Sequence, residues 1–212
     1  AEESGRYATA DPVLFAKLVT EDMQTLSADS HLFLSFHPDW YRAATQPADP
    51  KEAADQTQYE NTVARSTNFG ITESRVLVGN VRNLKIEGFS WIDGEGVKAY
   101  EAAMSFLREG RAAIIDLRGN RGGNTVPAYY LLSHLLPADE LMYTWHSPGK
   151  PDIQLRSSPY LPNGRLTDTP LYILVNSRTR SAAEAIAYDV KQFKLGEVVG
   201  EQTEGAANPS DD

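Results

Sequence analysis

Apolar positions along this chain change their spacing several times, and each change marks an element. Asp11-Pro12 opens a helix, with Asp as N-cap and Pro at the first helical position. Phe15, Leu18, Val19, Met23 and Leu26 then recur at helical spacing, which predicts an amphipathic helix to about Ser27. After a break at 28–30, His31 to Phe36 alternates enough to predict a strand. Residues 41–67 are rich in Ala, Gln, Asp and Pro with little periodicity, and read as a linker or a loose excursion. From Phe69 the character changes. Runs at 75–78 and 83–89 predict two strands joined tightly through Gly79-Asn80. A helix follows over 97–108, then a buried strand over 112–117 and a helix over 126–136. An irregular strand pair is expected between Met142 and Thr169, then a strand at 171–175, a helix at 183–193 and a last strand at 197–200. That order implies right-handed crossovers and a mainly parallel sheet. The expected organisation is a small helical N-terminal part with its linker, 1–67, and an α/β core, 68–212.

Composition narrows the classes of function. The 212 residues suffice for one sizeable core, or a core with a small appendage. A net charge of −9 argues against a nucleic-acid surface, which needs a basic stripe. The chain has no cysteine, so disulfides and thiolate chemistry are excluded, whereas the compartment stays open. No apolar run is long enough to span a bilayer, and residues 1–5 lack the basic and apolar regions of a signal peptide. Metal-ligand spacing is missing too, and no cofactor is expected.

Chemistry concentrates at two strand–turn–helix units, whose turns lie at the carboxyl ends of predicted parallel strands, where ligands of open α/β sheets bind. One turn carries Gly122-Gly123 and the other Ser181. A serine at a sharp turn before a helix sits among free backbone N–H groups at the positive end of the dipole, as serine nucleophiles do in several unrelated folds. The plainer reading is a capping box, since Ser181 and Glu184 make Ser-x-x-Glu. The two readings are compatible. Acyl transfer through a serine needs two donors aimed at the developing oxyanion, and an amide of Gly122 or Gly123 plus that of Ala182 could supply them. The glycines could equally make an ordinary tight turn, while a phosphate loop fails because no Lys-Ser/Thr follows Gly123. Of the four histidines, His134 lies among helical leucines and His37 and His146 sit in loops without distinguishing context. His31, opening a strand after a turn, could project into a cleft as the base.

These residues carry a resemblance. Asp116-Leu117-Arg118-Gly119-Asn120-Arg121-Gly122-Gly123 resembles the Asp-Leu-Arg-x-Asn-x-Gly-Gly motif of the C-terminal-processing (tail-specific) serine peptidases. Thr179-Arg180-Ser181-Ala182-Ala183-Glu184, with Val198-Val199-Gly200-Glu201-x-Thr203-x-Gly205, resembles that family's nucleophile helix and following strand. Asp29-Ser30-His31-Leu32 resembles its Asp-x-His segment, in the tricorn-like and interphotoreceptor retinoid-binding protein-like branch. The resemblance runs from about Asp11 to Pro209. It implies a crotonase/ClpP-like α/β core: a mainly parallel sheet with flanking helices, plus the helical N-terminal part. It implies Ser181 as nucleophile, His31 as general base, and Ala182 with Gly122 or Gly123 as oxyanion hole. Arg118 would brace the glycine turn through Asp116, Ser30 would shape the cleft, and Glu184 would cap the helix.

Departures from the pattern choose the branch. Ala206 stands where the tail-specific branch places its lysine base, and there is no room before Val76 for that branch's PDZ domain. The tricorn-like branch uses a downstream carboxylate to orient the histidine, which this resemblance would put beyond Asp212 along with further strands. Gly205-Ala206-Ala207-Asn208-Pro209 replaces the Gly-Gly-Ala-His-Pro common among relatives. The expected activity is that of a serine endopeptidase acting on peptide or protein substrates, in a periplasmic or secreted setting. Two rivals stand beside it: a non-catalytic binding protein for apolar, retinoid- or lipid-like ligands on the same fold, and an acyl-thioester enzyme of crotonase type. Substrate preference and oligomeric state are not legible.

Overall fold

The computed structural model describes residues 5–29, 31–45, 49–146 and 149–206. Contacts divide the chain into two units, one of residues up to Glu60 together with those from Glu204, the other Asn61–Thr203.

In the first unit, helix α1 (Pro12–Ser27) starts as its sequence dictates. Asp11 accepts hydrogen bonds from the Val13 and Leu14 amides, and Ala28 closes the other end in the left-handed region. Arg6 and Tyr7 tie the preceding segment to Asp22 on α1. The strand expected over His31–Phe36 does not form. Alternation alone cannot make a strand, because ladder bonds need a neighbour. Instead Leu34 uses Thr20 of α1: its N–H donates to Oγ1 at 2.8 Å and its carbonyl accepts from the same hydroxyl at 3.1 Å.

The stretch read as a linker is also more ordered than its pattern suggested. It holds α2 (Pro38–Ala44) and α3 (Pro50–Ser66). Both open on proline, and Asp49 accepts from the Lys51 amide at 2.8 Å, repeating the Asp-Pro start of α1. Helix α3 buries only Ala64, so no apolar stripe betrays it.

The second unit is a five-stranded sheet covered by helices. Its strands are β1 (Ile71–Leu77), β2 (Val81–Ile86), β3 (Ala112–Asp116), β6 (Leu171–Val175) and β7 (Glu197–Gly200), adjacent in that order. The antiparallel β1–β2 hairpin turns through Gly79 and Asn80, both at positive φ, as a tight hairpin requires. All other pairings are parallel. The crossovers are α4 (Glu95–Arg108), α5 (Thr125–Leu135) and α6 (Ala182–Gln192). Between α5 and β6 comes the expected strand pair, β4 (Leu141–Trp145) antiparallel to β5 (Ile153–Arg156). The mixed α/β architecture with a mostly parallel sheet is therefore the one expected.

Alternate residues of β2, β3 and β6 point into one core. Leu84, Ile86, Ile115, Leu117 and Ile173 are fully buried against Tyr100, Met104, Leu107, Leu131, Leu132 and Ile186 of the helices. Among the polar groups buried with them are His134 and Glu101. His134 lies with Nε2 3.2 Å from Glu101 Oε1 and Nδ1 3.2 Å from the Gly164 carbonyl; burial holds its imidazole below the usual histidine range. Glu101 in turn accepts from Tyr130 at 2.6 Å and from the Asn163 amide at 3.0 Å, fastening the 157–166 loop to α4 and α5.

Asp189 of α6 accepts a hydrogen bond from Tyr143 of β4, and burial pushes its carboxyl from the ordinary 3.8 up to about 6. The folded state thus binds this proton more tightly than the unfolded chain. The associated stability is present below pH 4 and is lost as pH rises through 6. Asp189→Asn keeps an acceptor for Tyr143 and cannot ionise. It should melt higher than the parent at pH 8, by up to about 3 kcal/mol, with the gap closing near pH 4. Thermal denaturation at pH 4, 6 and 8 checks this; an unchanged gap across that range contradicts it.

Candidate active site

Two neighbouring parallel strands, β3 and β6, end side by side, with Asp116 opposite Leu174. Past the last rung their backbone groups have no sheet partners, and side chains of the two turns take over. Asn176 Oδ1 accepts from the Gly119 amide at 2.9 Å. Thr179, fully buried, donates its hydroxyl to the Leu117 carbonyl at 3.0 Å and accepts from the Asn176 amide at 3.0 Å. Asn120, also fully buried, accepts the Arg180 amide on its carbonyl at 2.9 Å. The turn after β3 and the turn after β6 are thereby one hydrogen-bonded unit.

Ser181 stands at the end of the second turn with φ 54° and ψ −125°. A non-glycine residue there is strained by roughly 1–3 kcal/mol and persists only when its surroundings over-determine it. Its N–H donates to Glu184 Oε2 at 2.9 Å, and the Glu184 N–H donates to the Ser181 carbonyl at 2.8 Å. Ser181 and Glu184 thus form a capping box at the start of α6, to which the Ser181 carbonyl adds a main-chain acceptor.

Gly122 is pressed against this turn. A Cβ placed on it would lie 2.7 Å from Ser181 Cβ and 3.1 Å from the Ala182 nitrogen. The missing side chain lets the glycine turn approach the candidate nucleophile and a helix-terminal amide more closely than a Cβ would permit. Gly122 has φ +90° and Gly123 φ +129°, conformations that glycine adopts without cost. The Gly122 amide is already engaged, donating to Asn120 Oδ1 at 2.8 Å. The Gly123 and Ala182 amides meet no acceptor among the described residues. Arg118 braces the start of this turn, its guanidinium clasping the buried Asp116 at 2.9 and 2.7 Å. Burial alone would raise the Asp116 carboxyl, but Arg118 outweighs it and holds it below the usual carboxylate range.

His31 belongs to the other unit. Its N–H donates to Asp29 Oδ1 at 2.9 Å, and its Nδ1 lies 3.3 Å from the same oxygen without hydrogen-bond alignment. Asp29 is buried, and the imidazole is mostly so. Ser30 and Asn208 lie outside the described residues. His146 is exposed and paired with Asp152 at 2.8 Å. Sequence reasoning named Asn120 and Thr179 only as parts of their motifs, with no role, and passed over Asn176. The signal for the first was there, an amide side chain between glycines at a strand end, where turn polar groups need partners.

An α/β domain with a glycine turn packed on a strained serine at a helix N-terminus is an arrangement that a serine hydrolase could use. The family description Peptidase family S41 matches residues 80–208, and the chain belongs to that family of serine peptidases. It is 33% identical over 110 residues, 50% of this chain and 22% of the relative, to the chloroplastic C-terminal processing peptidase of Tetradesmus obliquus. It is also 33% identical over 93 residues, 43% of this chain and 20% of the relative, to the carboxyl-terminal-processing protease of a Synechocystis strain. The matched stretch thus spans about a fifth of the length of these curated relatives. Among solved structures, a candidate peptidase of Parabacteroides merdae superposes with a TM-score of 0.59 at 19% identity, covering 93% of this chain and 64% of the other. A lipoprotein of Streptococcus agalactiae superposes with a TM-score of 0.54 at 23% identity, over 69% and 55% of the two chains. These likenesses show the fold.

Gly122→Ala drives a methyl group against Ser181 Cβ and puts a side chain at positive φ. The expected cost is about 1–3 kcal/mol of stability. Thermal unfolding of the variant measures it, and an unshifted midpoint contradicts the close approach.

Proposed function

We propose that this chain is a serine endopeptidase that cleaves peptide bonds through an acyl-enzyme on Ser181. The observation that carries the reading is the strained Ser181 with the side-chain-free Gly122 against its Cβ. A capping serine needs neither the strain nor the glycine, because ordinary caps sit in extended backbone. A nucleophile needs both, since its hydroxyl must stand clear of the chain and a carbonyl must approach closely.

In this mechanism Ser181 Oγ attacks the scissile carbonyl while His31 takes its proton as general base. The carbonyl oxygen becomes an oxyanion, and the amides of Gly123 and Ala182 receive it, one such donor being worth roughly 2.7–4 kcal/mol. His31 then protonates the leaving amine, and water, activated in the same way, hydrolyses the ester. The buried Asp29 carboxylate beside His31 Nδ1 supports assigning Asp29 the orienting role. His134 is excluded as base by its burial and by its partners Glu101 and Gly164. The peptidase core is assigned to residues 68–212, and the substrates are peptides or proteins, by analogy with the processing peptidases among the relatives.

Labelling with a fluorophosphonate probe tests the reading. The parent should label, Ser181→Ala should not, and His31→Ala should label about 10²–10⁴-fold more slowly. Asp29→Asn should slow labelling while leaving Ser181 the labelled residue. A folded parent that takes no label, or label retained in Ser181→Ala, sinks the assignment and favours the non-catalytic binding protein.

A further inference from the structure

Asn120 is hydrogen-bonded on both sides of the glycine turn and to the serine turn. Its side chain is fully buried. Oδ1 accepts from the Gly122 amide at 2.8 Å, and Nδ2 donates to the Ile86 carbonyl at the end of β2 at 3.0 Å. Its main-chain carbonyl accepts from Arg180, the residue before Ser181. One residue therefore joins the end of β2, the glycine turn and the serine turn.

The consequence falls on the next peptide. With Gly122 N–H held by Asn120, the Gly122 carbonyl accepts from the Phe89 amide at 3.0 Å, and Phe89's own carbonyl accepts from Asn124 at 2.9 Å. Carbonyl and N–H of a trans peptide point in opposite directions. Drawing the Gly122 carbonyl toward Phe89 thus turns the Gly123 N–H away from Phe89, to the side where it has no acceptor among the described residues. Two adjacent glycines at positive φ have no side chains to resist rotation of that peptide, so the restraint must come from hydrogen bonds on either side. An amide side chain suits the task because it is neutral and offers one acceptor and one donor. A carboxylate would set a negative oxygen against the Ile86 carbonyl, and an alanine would leave two buried backbone groups unpaired.

We propose that Asn120 is the positioning residue of this site, holding the Gly122–Gly123 peptide so that the Gly123 amide faces the oxyanion; this rests on the reading of Ser181 as nucleophile.

The test compares the full chain with Asn120→Asp, Asn120→Ala and the core variant Leu131→Ala, which destabilises without touching either turn. Two quantities are read: amide exchange at Gly122 and Gly123 by NMR, and the rate of fluorophosphonate labelling. In the parent, Gly122 should exchange slowly and Gly123 faster. In Asn120→Asp at pH 8, Gly122 protection should fall and labelling should slow about 100-fold. Lowering the pH to 6 protonates the introduced buried carboxyl, which can again donate to the Ile86 carbonyl. The ratio of variant to parent labelling should then rise about tenfold. Asn120→Ala should show no such recovery, and Leu131→Ala should label at the parent rate below its melting temperature. Labelling of Asn120→Asp at the parent rate overturns the proposal, as does a ratio that ignores pH or an equal loss in Leu131→Ala. Should the Asn120 variants fail to fold, rapid Gly122 exchange in the parent overturns it alone. A parent that takes no label while Gly122 exchange responds to Asn120→Asp refutes the serine reading and leaves the positioning role standing.

Discussion

The structure hangs on the hydrogen bonds that close the gap between two adjacent turns beyond the carboxyl ends of β3 and β6. A parallel sheet satisfies its backbone only as far as its last rung, and here the chain must leave that rung twice, side by side, within a nearly buried environment. Asn120, Asn176 and Thr179 supply the missing partners, each bonding across to the other turn as well as within its own. Unpaired, each buried backbone group would cost about 1–3 kcal/mol, so the three residues outweigh the strain they hold in place at Ser181. Strain at one residue is tolerated because it is the cheapest way to satisfy several neighbours at once.

That dependence explains which parts of the fold were legible in the sequence. Helix α1, the three crossover helices and the buried strands announce themselves because their residues face one core, and periodicity records facing. The 50–66 helix faces almost nothing, so its sequence carries no stripe; its Asp-Pro start was the readable sign, the same one that revealed α1. The 31–36 segment shows the opposite error. It alternates like a strand, but pairing is a property of neighbours, and its neighbour is the hydroxyl of Thr20.

The site was legible to the same degree and for the same reason. Residue types that change backbone freedom, Gly122, Gly123 and the turn serine, stand out against ordinary composition. What held them did not, because an asparagine's role depends on which carbonyl and which amide lie within reach, and those come from β2 and from the turn before α6, 34 residues upstream in the case of Ile86. Charge is a further example. The chain is acidic overall, yet the turn next to the serine is braced by an arginine whose partner, Asp116, lies two residues before it, a local pair that net charge conceals.

The capping and nucleophilic readings of Ser181 meet in its backbone. In the capping box here the Glu184 amide faces the Ser181 side chain and also donates to the Ser181 carbonyl, while the Glu184 carboxylate takes the Ser181 N–H. Rotation of Ser181 to positive φ thus lets main chain do what the side chain does in an ordinary cap. The helix keeps its N-terminal satisfaction from more than the hydroxyl alone, because the Ser181 main chain and the Glu184 carboxylate share the task. Capping and catalysis compete for a serine in extended backbone; at this φ and ψ the proposed mechanism asks less of the side chain as a cap.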